Sequence, residues 1–294
     1  TDCNIPFRDW AGVGVAFKTI CAVEGDGEEE LLDEFSDLVA IGTLADVVPL
    51  KKENRALVYE GLKRINSGSR QGIEALKNAA GVSGKKLGAG GISFTLAPRI
   101  NAAGRMGSAM TAFRLLLSDD ENDAAELAKT IDTYNKERHS VENEITKQAI
   151  AEIESRPDEK YASVIVVSGE NWHQGVIGIV AARLCGKYGK PAVVISVDGE
   201  KGKGSCRSIS GFNMYEALQY APDLLIQFGR HIDPLRRSYS RRRSRCRKKQ
   251  NRRISHGDKR VCKNCRNAVS GAQARLQIKS CIHKYGFDKQ PRIA

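Results

Sequence analysis

No apolar run in this sequence is long enough to cross a membrane as a helix. The opening Thr1-Asp2-Cys3 has no basic-then-apolar leader. The first residue is not Met, so the chain is expected to be a fragment or a processed product. The Gly/Lys-rich stretch 84–91 lacks P-loop spacing, which excludes that kind of nucleotide-triphosphate site. Cys3, Cys21, Cys185 and Cys206 are scattered without a pairing pattern. That usage fits a reducing compartment, and a cytoplasmic location is expected. Glutamate is missing altogether from the last 65 residues.

What is present divides in two. The net charge of +12 is unevenly spread: from Arg230 onward 21 Lys and Arg face three acids, a net of +18, while residues 1–229 carry −6. A basic protein ordinarily points to nucleic acid, but here the excess belongs to the tail. With 294 residues and 41% apolar content, the chain can bury the cores of two domains.

Residues 11–25 have helical apolar spacing, and 28–35 read as an acidic helix. The run 38–41 reads as a short buried parallel strand. Asp46 would follow its C-terminal end, where ligands gather in open α/β sheets. A carboxylate among apolar neighbours is paired, capping or metal-bound, and the residues alone leave those options open. Helices are expected at 54–65 and 72–80. Residues 121–156 hold no Gly or Pro and carry one apolar stripe, predicting a helix of about ten turns. Residues 160–229 read as a compact α/β unit. Its strands are expected at 161–167 and 191–197, a polar strand or hairpin at 200–208, a helix from 175 or 176 to 188 and another capped by Asn213.

Three places could carry chemistry. In Ser93-Phe-Thr-Leu-Ala-Pro-Arg-Ile-Asn-Ala-Ala-Gly-Arg-Met-Gly107, a strand-like piece runs through Pro98 into Arg99, Asn101 and Arg105. Small residues around two arginines suit a phosphate-holding loop; a strand, a turn and a helix start with surface arginines is the plain alternative. His173 precedes a helix start, as either an N-terminal cap or an anion ligand. Ser205, Arg207 and Ser208 lie among glycines, suiting either a phosphodiester grip or an exposed hairpin.

Five segments in order, 11–18 (AGVGVAFK), 39–50 (VAIGTLADVVPL), 96–107 (LAPRINAAGRMG), 172–184 (WHQGVIGIVAARL) and 203–218 (KGSCRSISGFNMYEAL), resemble the RecJ family of single-stranded-DNA exonucleases in the DHH phosphoesterase superfamily. The resemblance covers roughly residues 5 to 230. It implies an α/β fold: the C-terminal part of a DHH catalytic domain (1–117), a long connecting helix (118–158) and a smaller DHH-associated substrate-binding domain (159–233), followed by an aberrant basic tail (234–294). It makes Asp46 a ligand to catalytic Mn²⁺ or Mg²⁺, hard cations that prefer carboxylates. It turns Arg99, Asn101 and Arg105 toward the scissile phosphate. His173, Ser205, Arg207 and Ser208 fall in the second lobe, which grips the strand. The implied activity is a 5′→3′ exodeoxyribonuclease acting on single-stranded DNA in repair and recombination, with single-strand-binding protein and recombination factors as partners and no membrane.

The departures carry weight as well. Neither an Asp-x-Asp before a Gly-rich turn nor an Asp-His-His occurs in this sequence. The family's first metal motifs are therefore missing, and the chain is expected to be inactive alone. Two rivals are a DHH phosphodiesterase acting on short oligonucleotides or small nucleotides, and a non-catalytic protein binding nucleic acid through Arg236 to Arg253. Cys262-x-x-Cys265, with Cys246, Cys281, His256 or His283, is a weak zinc pattern. The family continues Gly-Gly-His, then Ala-Ala-Gly, where this chain has Gly229-Arg230-His231 and then basic, glutamate-free sequence. A shifted reading frame near 230–234 is the expectation. The coding DNA, read in the other frames past that point, should continue as a Gly-Gly-His-x-x-Ala-Ala-Gly-like sequence; stops or unrelated sequence in both would sink the idea.

Overall fold

A computed structural model describes residues 7–25, 28–68, 70–156, 163–199 and 201–219. The basic tail and its zinc pattern lie outside them. Two compact units divide between Ser140 and Val141.

The described residues of the first unit are helical: α1 (Gly12–Glu24), α2 (Glu28–Ala45), α3 (Lys52–Ser67), α4 (Gln71–Ala79), α5 (Ala89–Gly91), a π-helical turn (Ile92–Leu96), α6 (Ala97–Met106), α7 (Ala109–Leu117) and the first part of α8 (Glu121–Glu154). Two expectations fail here. Residues 38–41 are the interior of α2 rather than a strand. Ser36, Asp37, Val39, Ala40, Ile41, Thr43 and Leu44 are all buried, so this half of the helix is covered nearly all round. A helix with no solvent face has no amphipathic period, and a short apolar run then looks the same as a buried strand. The strand-like piece before Pro98 is also helical. Proline lacks the N–H that a continuing α-helix needs and crowds the carbonyl four residues back. Here the preceding turn widens, and the Ala97 N–H bonds back to Ile92 O, five residues earlier.

Close helix approach explains two glycines. A Cβ on Gly61 would lie 2.1 Å from Ser36 O, and one on Gly72 would lie 1.8 Å from Leu115 O. These set the α2–α3 and α4–α7 contacts. The core between them is aliphatic, including Leu44, Ile65, Ile73, Leu76, Ile92, Leu96, Leu115 and Ile131. The long α8 starts where expected, with Asp120 Oδ1 accepting the Asp123 N–H at 2.7 Å.

The second unit is a three-stranded sheet in the order β1 (Ile165–Glu170), β2 (Ala192–Asp198), β3 (Lys201–Arg207). β1 and β2 are parallel, with Ile165 opposite Ala192. α9 (Ile177–Tyr188) makes the crossover and ends at Gly189, whose φ of 63° is the left-handed cap. β3 returns antiparallel to β2, with Ala192 opposite Arg207. α10 (Met214–Leu218) follows Asn213, whose side chain accepts the Glu216 N–H. β1 runs from 165 to 170 rather than 161–167; residues 161 and 162 lie outside the described residues. No described helix is long and apolar enough to cross a membrane.

Gly72→Ala is expected to cost about 1–3 kcal/mol, because a backbone carbonyl must move. Gly186→Ala, on an exposed turn of α9 with nothing within 4 Å, should be neutral or stabilise by up to ~1 kcal/mol. Thermal melts of the two variants against the parent check both signs.

Candidate nucleic-acid interface

In the first unit, Asp46 sits just beyond the C-terminal end of α2, exposed, its N–H bonded to Gly42 O. A helix C-terminus is the wrong end for a carboxylate cap, because the dipole there favours cations. Asp46 instead occupies a turn, the other plain reading of a carboxylate at this point. The next residue, Val47, has φ 53°, a costly conformation for a β-branched side chain, and is 84% exposed. The proline-containing motif lies against this end of α2, with Ser93 Oγ donating to Leu44 O at 3.4 Å.

The three polar residues of that motif have different surroundings. Arg99 is largely buried: its Nε donates to Asp132 on α8 at 2.9 Å and its Nη1 to Thr95 O at 2.8 Å. Asn101 and Arg105 are exposed, four residues apart on the same helix face. Phe94, in the π-turn, is 85% exposed. Asp132 also receives Lys136 Nζ at 2.8 Å. Burial pushes the Asp132 carboxyl up, but the hydrogen bonds and positive charges of Lys136 and Arg99 outweigh that and hold its pKa below the ordinary value.

The second unit gathers the other predicted residues around the start of α9. His173 lies just past the C-terminal end of β1, where parallel sheets place ligands. Its carbonyl accepts the N–H groups of Val176 and Ile177, and its Nδ1 accepts that of Gly175 at 3.2 Å. The helix N-cap is Val176 and no side chain caps it, so the bond from Gly175 to His173 orders the preceding turn instead. It also has a chemical consequence: with Nδ1 accepting, a neutral ring carries its proton on Nε2 and presents a donor there. Trp172 fixes the loop, its indole N–H donating to Gln148 at 2.8 Å and its carbonyl accepting from the buried Ser196 hydroxyl at 2.5 Å. Gly169 gives the indole room, since a Cβ there would lie 2.1 Å from the ring.

Ser205 and Arg207 on β3 reach the first turn of α9. A Cβ on Gly178 would come 2.9 Å from Ser205 Oγ and 3.7 Å from Arg207 Nη2. A guanidinium and a hydroxyl thus meet at a helix N-terminus one turn after His173, a donor set suited to an anion. Ser208 has a different part: its hydroxyl closes the following turn on Phe212 O at 2.6 Å. Burial pushes the Cys206 thiol up to about 11 and also raises Cys185, with Arg207 opposing both. These thiols stay protonated near neutrality and are poor nucleophiles.

Several residues that shape these sites went unread in the sequence. Asp132 and Gly178 sit inside regular helices, and their partners are remote in sequence. Asp37 carried a signal, a carboxylate inside an apolar run, which must be paired when buried. No group of three or more His, Cys, Asp or Glu suited to a metal ion occurs among the described residues. Asp46 supplies one carboxylate, so these residues do not make up a metal site by themselves.

The Asp132 pair has a definite pH signature. A lowered carboxyl value stabilises the fold above the ordinary carboxylate range and loses that contribution as pH falls through it. Asp132→Asn should melt below the parent at neutral pH, with the gap closing as pH falls through and below the ordinary carboxylate range. A gap independent of pH would instead assign Asp132 a role in packing alone.

Residues 158–225 match the DHHA1 domain family. The chain is 44% identical over 231 residues to the single-stranded-DNA-specific exonuclease RecJ of Bacillus subtilis, covering 78% of this chain and 29% of that protein. RecJ of Escherichia coli is 37% identical over 249 residues, covering 78% and 43%. Among solved structures, Thermus thermophilus RecJ in complex with Mg²⁺ superposes with a TM-score of 0.67 at 37% identity, covering 78% of this chain and 35% of that one. An exonuclease RecJ bound to manganese superposes with a TM-score of 0.64 at 36% identity, covering 78% and 57%. The chain therefore spans 29% to 43% of the length of these two curated relatives. Over about three quarters of its own length the chain is thus homologous to part of the RecJ exonucleases, and it includes a DHHA1 domain.

Proposed function

We propose that this chain is the strand-handling part of a single-stranded-DNA-specific 5′→3′ exonuclease of repair and recombination. The observation that carries this reading is the convergence of Ser205 and Arg207 on the first turn of α9, one turn after His173. Such a site grips a phosphate without reading a base, as a nuclease that accepts any sequence requires. In the first unit, Asn101 and Arg105 offer a second polar face, with Arg99 setting the angle of α6 through Asp132. The domain limits proposed are 1–117, 118–158 and 159–233.

Asp46 is proposed as one ligand to Mg²⁺ or Mn²⁺, which would supply an activated water and stabilise the departing oxygen. The described residues offer no complete ligand set, and no hydrolytic step is drawn from them. A cytoplasmic location and contact with single-strand-binding protein or recombination factors complete the reading.

Anisotropy titrations with a labelled single strand test it. Arg207→Ala and Arg105→Ala should each weaken binding uniformly across sequences and reduce the salt slope by about one. A 1–229 chain should still bind single strands. Binding that disappears with residues 230–294, and is untouched by Arg207→Ala, would favour the basic-tail reading instead.

A further inference from the structure

The loop after Asp46 is held in an unfavourable shape. Val47 and Lys52 both have positive φ, 53° and 46°, and neither is glycine. Between them the Lys51 N–H turns back on Pro49 O at 2.9 Å. Nothing in the local sequence Asp46-Val-Val-Pro-Leu-Lys-Lys52 favours left-handed backbone at these positions. A conformation of this kind persists only where its surroundings impose it.

Asn54, in the first turn of α3, is the group that reaches back. It is 1% exposed. Its Nδ2 donates to Pro49 O at 3.1 Å and to Asp9 O, before α1, at 2.7 Å. Its Oδ1 is buried without a partner among the described residues, so the donors orient the amide. One buried side chain thus joins the loop to the segment before α1, and the loop begins at Asp46.

We propose that Asn54 is a positioning residue for Asp46: its amide holds the 46–52 loop in a strained form that presents the carboxylate at the end of α2. The inference deepens the reading of Asp46 as a cation ligand and rests on it for its purpose, though not for its geometry. Asn54 touches no substrate in this scheme and acts through Pro49 and the backbone of Val47. A glycine at 47 adopts the same φ without cost. Val47→Gly should therefore remove much of what Asn54 has to offset.

The test uses the whole chain with two readouts. The first is hydrogen exchange of the amides of residues 46–52 relative to those of α3 and α4. Asn54→Ala should speed exchange at Lys51 about tenfold, the effect of losing a buried hydrogen bond, with little change in α4. Adding Val47→Gly should restore it to within about twofold, a coupling that a double-mutant cycle isolates. The second readout is Mn²⁺-induced broadening of the NMR signals of residues 45–47, with Asp46→Ala as the control. Asn54→Ala should require several-fold more Mn²⁺ for the same broadening. Uniform loss of protection across the first unit, or failure of Val47→Gly to rescue, would overturn the staple. Absence of broadening in the parent chain would overturn Asp46 as a ligand, while the exchange result still decides the role of Asn54.

Discussion

One buried carboxylate orders the first unit. Asp37 is fully buried in α2. It accepts Arg70 Nε at 2.9 Å, has Arg64 Nε at 3.6 Å, and takes the Leu38 N–H at 2.7 Å. Arg70 spends its other nitrogens on Glu34 O and Leu116 O. Residues of α2, α3, the start of α4 and the end of α7 are thereby fixed around one charge. A buried ion pair of this kind adds little net stability over an apolar substitute, but losing one partner strands the other. Its effect is to specify which helices meet and at what register, and Gly61 and Gly72 then let them approach.

The candidate functional residues hang on that frame at two removes. α2 is fixed by Asp37, and its far end carries Asp46. The proline motif packs against that end through Ser93, and its widened turn absorbs Pro98 so that Asn101 and Arg105 share an exposed face. In the second unit the division of labour is similar. Ser196, Gly169 and Gln148 hold Trp172, and the turn ordered by His173 then leads into α9. Ser205 and Arg207 come from the antiparallel return strand, which the crossover helix lies against. In both units the candidate polar groups depend on buried ones for their placement.

Much of the second unit was legible from residue order. Two β-branched runs around a helix with a glycine cap at Gly189 suit a strand–helix–strand unit, and Asn213 announced its helix. The long α8 was equally plain, since no Gly or Pro interrupts it and Asp120 caps it. His173 stands just before a helical pattern, but the residue that caps it, Val176, gave no signal of its own. The first unit was less so. Its most buried helix lost its period through being covered on nearly all sides, and a proline inside a continuous helix looks locally like a boundary. Arg99 and Arg105 were indistinguishable in the motif, yet one is locked to Asp132 and the other lies on the surface.

The sequence by itself determined the ordered motifs, the helix and strand types of the second unit and the residue chemistry available for holding phosphate, because capping, periodicity and composition are local properties. Tertiary structure alone decided that 38–41 is helix, that Arg99 is paired with Asp132, that Ser205 and Arg207 meet the start of α9, and that Asn54 reaches the loop of Asp46. Each of these depends on which remote atom fills a space or accepts a hydrogen bond, and no local pattern of residues encodes that.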